Sequence, residues 1–318
     1  MKNVLILGSG SIANQHIENL IELKINVFIL IKNHNEKKRF DNQKNSQIEF
    51  IYKISELKKI NFLFAIIASA TSKHLSQIKF LIKEKINIFC EKPISNNFLD
   101  IKILRKEIIN KKIFFYVNYQ LKQHRLIKQL IKKIKNRKIN YIDVRVGHNL
   151  KYWRKKGIRK NSYFVDSKKG GGVIYELIHE INLINYIFGK IIKIKTLKKN
   201  IIKKYYKCED QAISLFNTNK NISGILVQDM VSEDKVRYIK LFMQEDIIKL
   251  DFIKNNIYIK NKKKIKVIKN KFQDLQKDLI KKNIENFIKI IKNKNFNIKF
   301  FDEAVYDLKI CNKMHEKF

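Results

Sequence analysis

A chain of 318 residues is longer than one hydrophobic core usually organises, and its 45% apolar content is enough to fill two. The formal net charge of +39 would suit a nucleic-acid binder, but eight arginines against sixty lysines, spread through every segment, leave no arginine-rich stripe or base-reading motif; what remains is weak, salt-sensitive attraction to polyanions and no specific nucleic-acid partner. Apolar runs are cut by lysine well before the roughly 18 to 20 residues of a membrane span, no N-terminal apolar core with a cleavage site is seen, and three scattered cysteines without a CxxC pair fit a reducing compartment, so a cytoplasmic protein is expected.

In chain order, KNVLIL (2–7) reads as a buried strand running into GSGSIANQH (8–16), and the apolar spacing of IANQHIENLIEL predicts a helix directly after it. INVFILI (25–31) then closes a unit of about thirty residues, the βαβ frame of a dinucleotide site. In that frame Gly8 makes the tight turn and Gly10 admits the pyrophosphate to the backbone. Ser11 and Ile12 open the helix whose N-terminus faces the phosphates, and Ala13 takes the place of the third glycine, where helix and strand pack closely. An acid about twenty residues beyond the turn would bind a ribose 2′-hydroxyl, yet LIKNHNE (30–36) places Lys32 and Asn33 there. That leans towards NADP, with Glu36 left as a residue that would reverse the lean by turning inward.

The alternation continues with a strand at NFLFAIIAS (61–69), a helix at HLSQIKFLIKEK, a strand at INIFC, a helix at FLDIKILRKEIIN and a strand at KIFFYVNY. A doubly wound parallel sheet over residues 1–118 follows. Ligands of such sheets bind at the carboxyl ends of the strands, which here carry Ser69, Thr71, Glu91, Lys92 and Pro93, the chain's single proline. Residues 119–318 read as an α+β domain built on an open, mainly antiparallel sheet. Its strands are YIDVRVGH, KIIKIKTL, DQAISLFNT, ISGILVQDM, VRYIKLFMQ and IIKLDFI, and two amphipathic helices close the chain. Before the second of these strands stands GGGVIYELIHEINLINYIFG (170–189), a glycine triplet leading into a helix with Glu176 and His179. Three adjacent glycines imply that something approaches the backbone closely there.

Together GSGSIA, TSKH, CEKP and GGGVIYELIHEINLI resemble, in order and spacing, the Gfo/Idh/MocA family of NAD(P)-dependent sugar oxidoreductases, and CEDQAISLFNTNKNISGILVQDM resembles that family's C-terminal sheet. The stretch YWRKKGIRKNSYFVDSKKGGG is most similar to members in surface-polysaccharide sugar pathways. The resemblance implies that Lys92 lies between nicotinamide and substrate, that His179 is the acid/base group, and that the Lys92–Pro93 peptide is cis. An imidazole titrates in the range that exchanging a hydroxyl proton requires. Thr71 and His74 resemble the cofactor-side loop, and Asn118 stands where a glycine often follows the sixth strand. Trp153, Arg154, Arg159 and Tyr163 offer sugar stacking and anion capture, or a packed tryptophan with surface arginines. The glycine loop, Gly171 included, is expected to admit a sugar ring against bare backbone.

Two departures from the family pattern stand out. Many members have an aspartate four residues before the histidine and another three after it, where this chain has Glu176 three before and Asn182 three after. Residues three apart share a helix face, so Glu176 is read as orienting the imidazole, contacting substrate, or lying in solvent. His179-Glu180 mimics half of a zinc-binding HExxH, but Leu183 stands at the second histidine position, so no metal is expected. The expectation is hydride transfer between NAD(P) and a hydroxyl or keto carbon of a sugar, nucleotide sugar or polyol, in a homo-oligomer formed through the C-terminal sheet. The competing reading is a non-catalytic NAD(P)-binding sensor.

Overall fold

The computed structural model describes residues 2–40, 45–153, 163–203, 207–262, 264–271 and 273–316, with the side chains of Trp153, Tyr163 and Lys168 outside the description. Residues 1–120 with 275–305 form one compact unit, and residues 121–274 with 306–318 form another.

The first unit begins β1 (Asn3–Leu7), α1 (Ser11–Glu22), β2 (Asn26–Leu30), α2 (His34–Lys37), β3 (Ile48–Ile51), α3 (Ile54–Leu57) and β4 (Phe64–Ile67). It continues with α4 (His74–Lys83), β5 (Ile88–Cys90), α5 (Phe98–Asn110) and β6 (Phe115–Val117). The sheet order is β3-β2-β1-β4-β5-β6, with every pair parallel. This is the dinucleotide-binding order, with the chain reversing direction across the sheet between β1 and β4. All four residues of β4 are buried, because helices cover both faces of a parallel sheet. On α1 the buried positions Ala13, Ile17 and Leu20 recur at three- and four-residue spacing and face the strands, and Lys24, at φ +55°, turns the chain back into β2.

The second unit holds α6 (Arg125–Ile134), β7 (Ile139–Gly147), α7 (Leu150–Trp153), α8 (Val173–Glu176), α9 (Ile178–Phe188), β8 (Ile191–Lys199) and β9 (Gln211–Thr218). After these come β10 (Ser223–Asp229), β11 (Val236–Met243), β12 (Ile247–Asp251), β13 (Asn256–Lys260) and β14 (Ile265–Lys269). The strands form one sheet in the order β14-β13-β12-β11-β7-β10-β9-β8, antiparallel except for β7 beside β10. Burial alternates along β9 and β10, so one face is core and the other carries exposed Tyr141, Ile213, Leu215 and Ile225. The expected α/β plus α+β architecture is the one found.

Two helices end the chain, α10 (Gln276–Lys292) and α11 (Lys299–His315). The expected division into 1–118 and 119–318 differs from the observed units over residues 275–305, which pack with the first. The cause is the apolar face of α10: Ile280, Ile284, Phe287 and Ile288 join the core of the parallel sheet, with the Phe287 ring 5.2 Å from Phe64 and 5.9 Å from Phe89. Burying such a face outweighs sequence proximity to the second sheet.

Candidate active site

The turn after β1 is built as the spacing predicts. Gly8 has φ +138°, and a Cβ there would lie 2.5 Å from the Ala68 carbonyl carbon and 2.8 Å from the Ser69 nitrogen, so the close neighbour is the end of β4. Gly10, the N-cap of α1, has nothing within 4 Å of its Cβ position. That open space over a helix N-terminus, with no side-chain cap and no acid in the first turn, fits a pyrophosphate held by Gly10, Ser11 and Ile12 amides. Ala13 is fully buried against the sheet.

Beside this turn, Glu36 points inward: Oε1 accepts from Ser9 Oγ at 2.7 Å and Oε2 from the Lys32 amide at 2.9 Å, while Arg39 donates to the same Ser9 Oγ at 2.9 Å. Burial pushes the Glu36 carboxyl upward, but these hydrogen bonds and the Arg39 and Lys73 charges outweigh it and hold the pKa below the usual value. The carboxylate is therefore ionised at neutral pH. This reverses the basis for the NADP lean, which took Lys32 and Asn33 as the local chemistry; Asn33 instead caps α2 by accepting from the Glu36 amide at 3.1 Å.

At the end of β5 lie Glu91, half-buried Lys92 and buried Pro93, and the Lys92–Pro93 peptide is cis as the resemblance implied. Glu91 Oε1 meets His16 Nε2 at 2.7 Å and accepts from Asn118 Nδ2 at 2.6 Å. The chain runs on: Asn118 Oδ1 accepts from Asn283 Nδ2 at 2.7 Å, and Asn283 Oδ1 from Tyr116 Oη at 2.9 Å. This buried line ties α1, β5, β6 and α10 together behind Lys92. His74 is buried, with Nδ1 at 2.9 Å from the Pro93 carbonyl and Nε2 at 3.1 Å from the Ser69 carbonyl. Burial lowers its pKa against the pull of both carbonyls, and His74 thus ties the loops after β4 and β5. Ser69 Oγ donates to Gln77 at 2.7 Å, and Thr71 is buried in a single 3-10 turn.

In the second unit Gly170 (φ +81°) and Gly172 (φ +110°) adopt conformations that favour glycine. The expectation of bare backbone for a sugar ring is not met at Gly172, because the Glu209 carboxylate fills the space beside it: a Cβ would lie 2.8 Å from Glu209 Cδ. The amides of residues 170, 171 and 172 donate to Ser167, Asp166 and Phe164 carbonyls. The helix read through Glu176 and His179 is also broken. Leu177, at φ −103° and ψ 30°, separates α8 from α9, and its carbonyl accepts from the buried Gln228 Nε2 at 2.8 Å. Glu176 and His179 are both buried, but they stand on two helices, not on one continuous face. Glu180 is held by Arg237, whose Nε donates to Oε1 at 2.7 Å.

Asn182 donates to Asp307 Oδ2 at 2.6 Å, and Asn185 donates to Asp307 Oδ1 at 2.7 Å. The second lost family carboxylate is thus explained by a buried aspartate arriving from α11. Trp153 ends α7 and Tyr163 opens a 3-10 turn, their side chains lying outside the description; Arg154 and Arg159 lie outside the described residues. Sequence reasoning missed His16, Asn283 and Glu209. His16 sits on the face of α1 that its apolar spacing marks as buried, which was the one available signal.

Residues 2–119 match the model of an oxidoreductase family with an NAD-binding Rossmann fold, GFO_IDH_MocA. A curated relative, myo-inositol 2-dehydrogenase of Thermotoga maritima, is 22% identical over 191 residues, a match spanning 59% of this chain and about half, 55%, of that enzyme's length. Among solved structures, UDP-N-acetylglucosamine 3-dehydrogenase from Acidithiobacillus ferrooxidans is 14% identical, with a TM-score of 0.79 over 98% of this chain and 96% of that one. A 3-ketoreductase from Actinomadura kijaniata, solved with TDP-benzene and NADP, is 12% identical, with a TM-score of 0.81 over 98% and 96% of the two chains. At these identities the structural matches establish the two-domain fold, and residues 2–119 match the NAD-binding Rossmann domain of the GFO_IDH_MocA oxidoreductase family.

Proposed function

We propose that this protein oxidises a ring hydroxyl, or reduces the matching ketone, of a sugar, nucleotide sugar or polyol with a nicotinamide dinucleotide. The observation that carries the reading is the buried His16–Glu91–Asn118–Asn283–Tyr116 line, which fixes the strand end bearing Lys92 at the side of the sheet where dinucleotides bind. Bound dinucleotide supplies or removes the hydride. The amides of Gly10, Ser11 and Ile12 hold its pyrophosphate, with Gly8 making the turn and Ala13 packing the helix on the sheet, and Ser69, Thr71, Pro93 and Asn118 shape the rest of its seat. Lys92 positions the reacting oxygen, and His179 exchanges the hydroxyl proton with Glu176 close by in sequence. Glu36 accepts the ribose 2′-hydroxyl, so NAD(H) is preferred to NADP(H).

The sugar class rests on the relatives, which act on myo-inositol and on a UDP-linked amino sugar. A nucleotide sugar in surface-glycan synthesis, handled in the cytoplasm, is the specific form of the reading. The open face of the second sheet supports a homo-oligomer. Tyr141 and Phe242 stack there at 4.1 Å, and Ile213, Leu215 and Ile225 stand exposed beside Lys240 and Arg145. The test is absorbance of the reduced nicotinamide with NAD and a panel of free sugars, polyols and nucleotide sugars. Turnover of at least one supports the reading; tight dinucleotide binding with no turnover across the panel would leave a sensor.

A further inference from the structure

Gly172 and Glu209 share one space: the glycine's φ of +110° and missing Cβ leave room that the glutamate carboxylate occupies. Glu209 also holds the start of α8 twice over, its main-chain oxygen accepting from the Val173 amide at 3.0 Å and its Oε1 from the Ile174 amide at 3.3 Å. Its own segment is anchored, since the Lys207 amide donates to the Val165 carbonyl at 2.8 Å, and Asp210 carboxylate oxygens accept from the Ile201 and Ile202 amides at 2.8 and 2.7 Å. The side chain is 10% exposed. A group so placed sets where the α8 backbone begins, and α8 ends at Glu176, one residue before the break that starts the helix of His179.

We propose that Glu209 is a positioning residue for the Glu176–His179 segment, acting through the Gly172 turn it fills, and that its protonation state tightens or loosens that segment. The catalytic half of this inference rests on the hydride-transfer reading above. The groups facing Glu209 are Lys198 from β8, His315 and Cys311 from α11, Tyr175 from α8, and Cys208 and Asp210 on its own strand entry. Burial lifts the Glu209 carboxyl to about 7, while its amide hydrogen bonds and Lys198 pull down and Asp210 pushes up. Burial and Lys198 drive His315 down to about 4, and burial raises Cys208 to about 12 and Cys311 and Tyr175 upward. His315, Cys208, Cys311 and Tyr175 are therefore neutral across the window in which Glu209 changes. A carboxyl raised in the folded state contributes stability fully present below its ordinary 4.5 and lost as pH rises through about 7; the burial cost of the charge outweighs the Ile174 amide bond that favours the carboxylate, so ionisation loosens the turn.

The test is amide hydrogen exchange of the full chain over peptides spanning residues 172–180, corrected for intrinsic rates, from about pH 5 to 8.5, with kcat and KM measured in parallel. In the wild type, protection there should fall about tenfold across this range. Glu209→Gln, which keeps an acceptor but cannot ionise, should be flat and should remove the same limb from the kcat profile. Glu209→Ala should lose the protection and about tenfold in kcat, with dinucleotide affinity unchanged. A Gln variant that retains the wild-type pH dependence of protection overturns the proposal, and if the Ala variant does not fold, the Gln variant decides. Exchange that titrates as described in a protein turning over no sugar keeps the positioning of the segment and removes the hydride-transfer reading instead.

Discussion

The Glu91 carboxylate and the His16 imidazole meet at 2.7 Å with both residues buried, and a third buried group, Asn118, donates to the same carboxylate oxygen. Burial acts to raise the Glu91 pKa, but the hydrogen bond and charge of His16, the Asn118 amide and the Lys92 charge outweigh it, leaving the group below its ordinary 4.5. A depressed carboxyl contributes stability present above that ordinary value and lost as pH falls through the lower folded value. Glu91→Gln should therefore cost about 1 to 3 kcal/mol at neutral pH and flatten the acid limb of Tm measured by circular dichroism below about pH 4.5. A variant with the wild-type acid limb would show that the contact carries no linkage.

Asn182 and Asp307 make the second prediction. An aspartate at 182, the residue common in the family, would place a carboxylate at hydrogen-bond distance from a buried carboxylate that already receives Asn185. Asn182→Asp should lower stability by roughly 3 to 5 kcal/mol, and adding Asp307→Asn should recover most of it. Equal denaturant midpoints for Asn182→Asp and the wild type would refute the pairing.

The two glycines of the first turn should behave differently. Gly8→Ala forces a methyl group against the Ala68 carbonyl at φ +138°, so it should destabilise the fold by about 2 to 4 kcal/mol. Gly10→Ala meets nothing within 4 Å and should leave Tm nearly unchanged while weakening dinucleotide binding about tenfold or more, because the methyl group stands where the phosphates approach. Calorimetry on the two variants separates the roles; undiminished binding by a stable Gly10→Ala protein would contradict them.

Glu36 makes the cofactor preference measurable. Its inward carboxylate repels a 2′-phosphate, so Glu36→Gln should raise NADP affinity relative to NAD about tenfold, which is about 1.4 kcal/mol. Titration calorimetry that shows no change in the ratio would contradict the assignment of the preference to Glu36.

Much of this was legible in the sequence where local pattern decides structure. The glycine turn, the parallel strands and the alternating strands of the second sheet follow from period-two and period-3.6 spacing. What was not legible depends on partners far along the chain. Phe287 and Asn283, far along the chain, belong to the first unit because its core and the polar line around Tyr116 and Asn118 accept them. Glu209 enters the Gly172 space across 37 residues, and no local spacing announces which side chain a glycine makes room for. At the break the Leu177 carbonyl accepts from Gln228, again a distant donor, and the helical pattern alone reads straight through it.

The most direct test is single-turnover kinetics of Lys92→Ala and His179→Ala beside the wild type, with a substrate from the sugar panel, following the reduced nicotinamide while dinucleotide affinity is measured separately. Each variant should lose roughly 10²- to 10⁴-fold in the hydride-transfer rate and bind dinucleotide within about twofold of the wild type. A wild-type rate in either variant, with substrate saturating, would contradict the assignment of that residue to the chemistry.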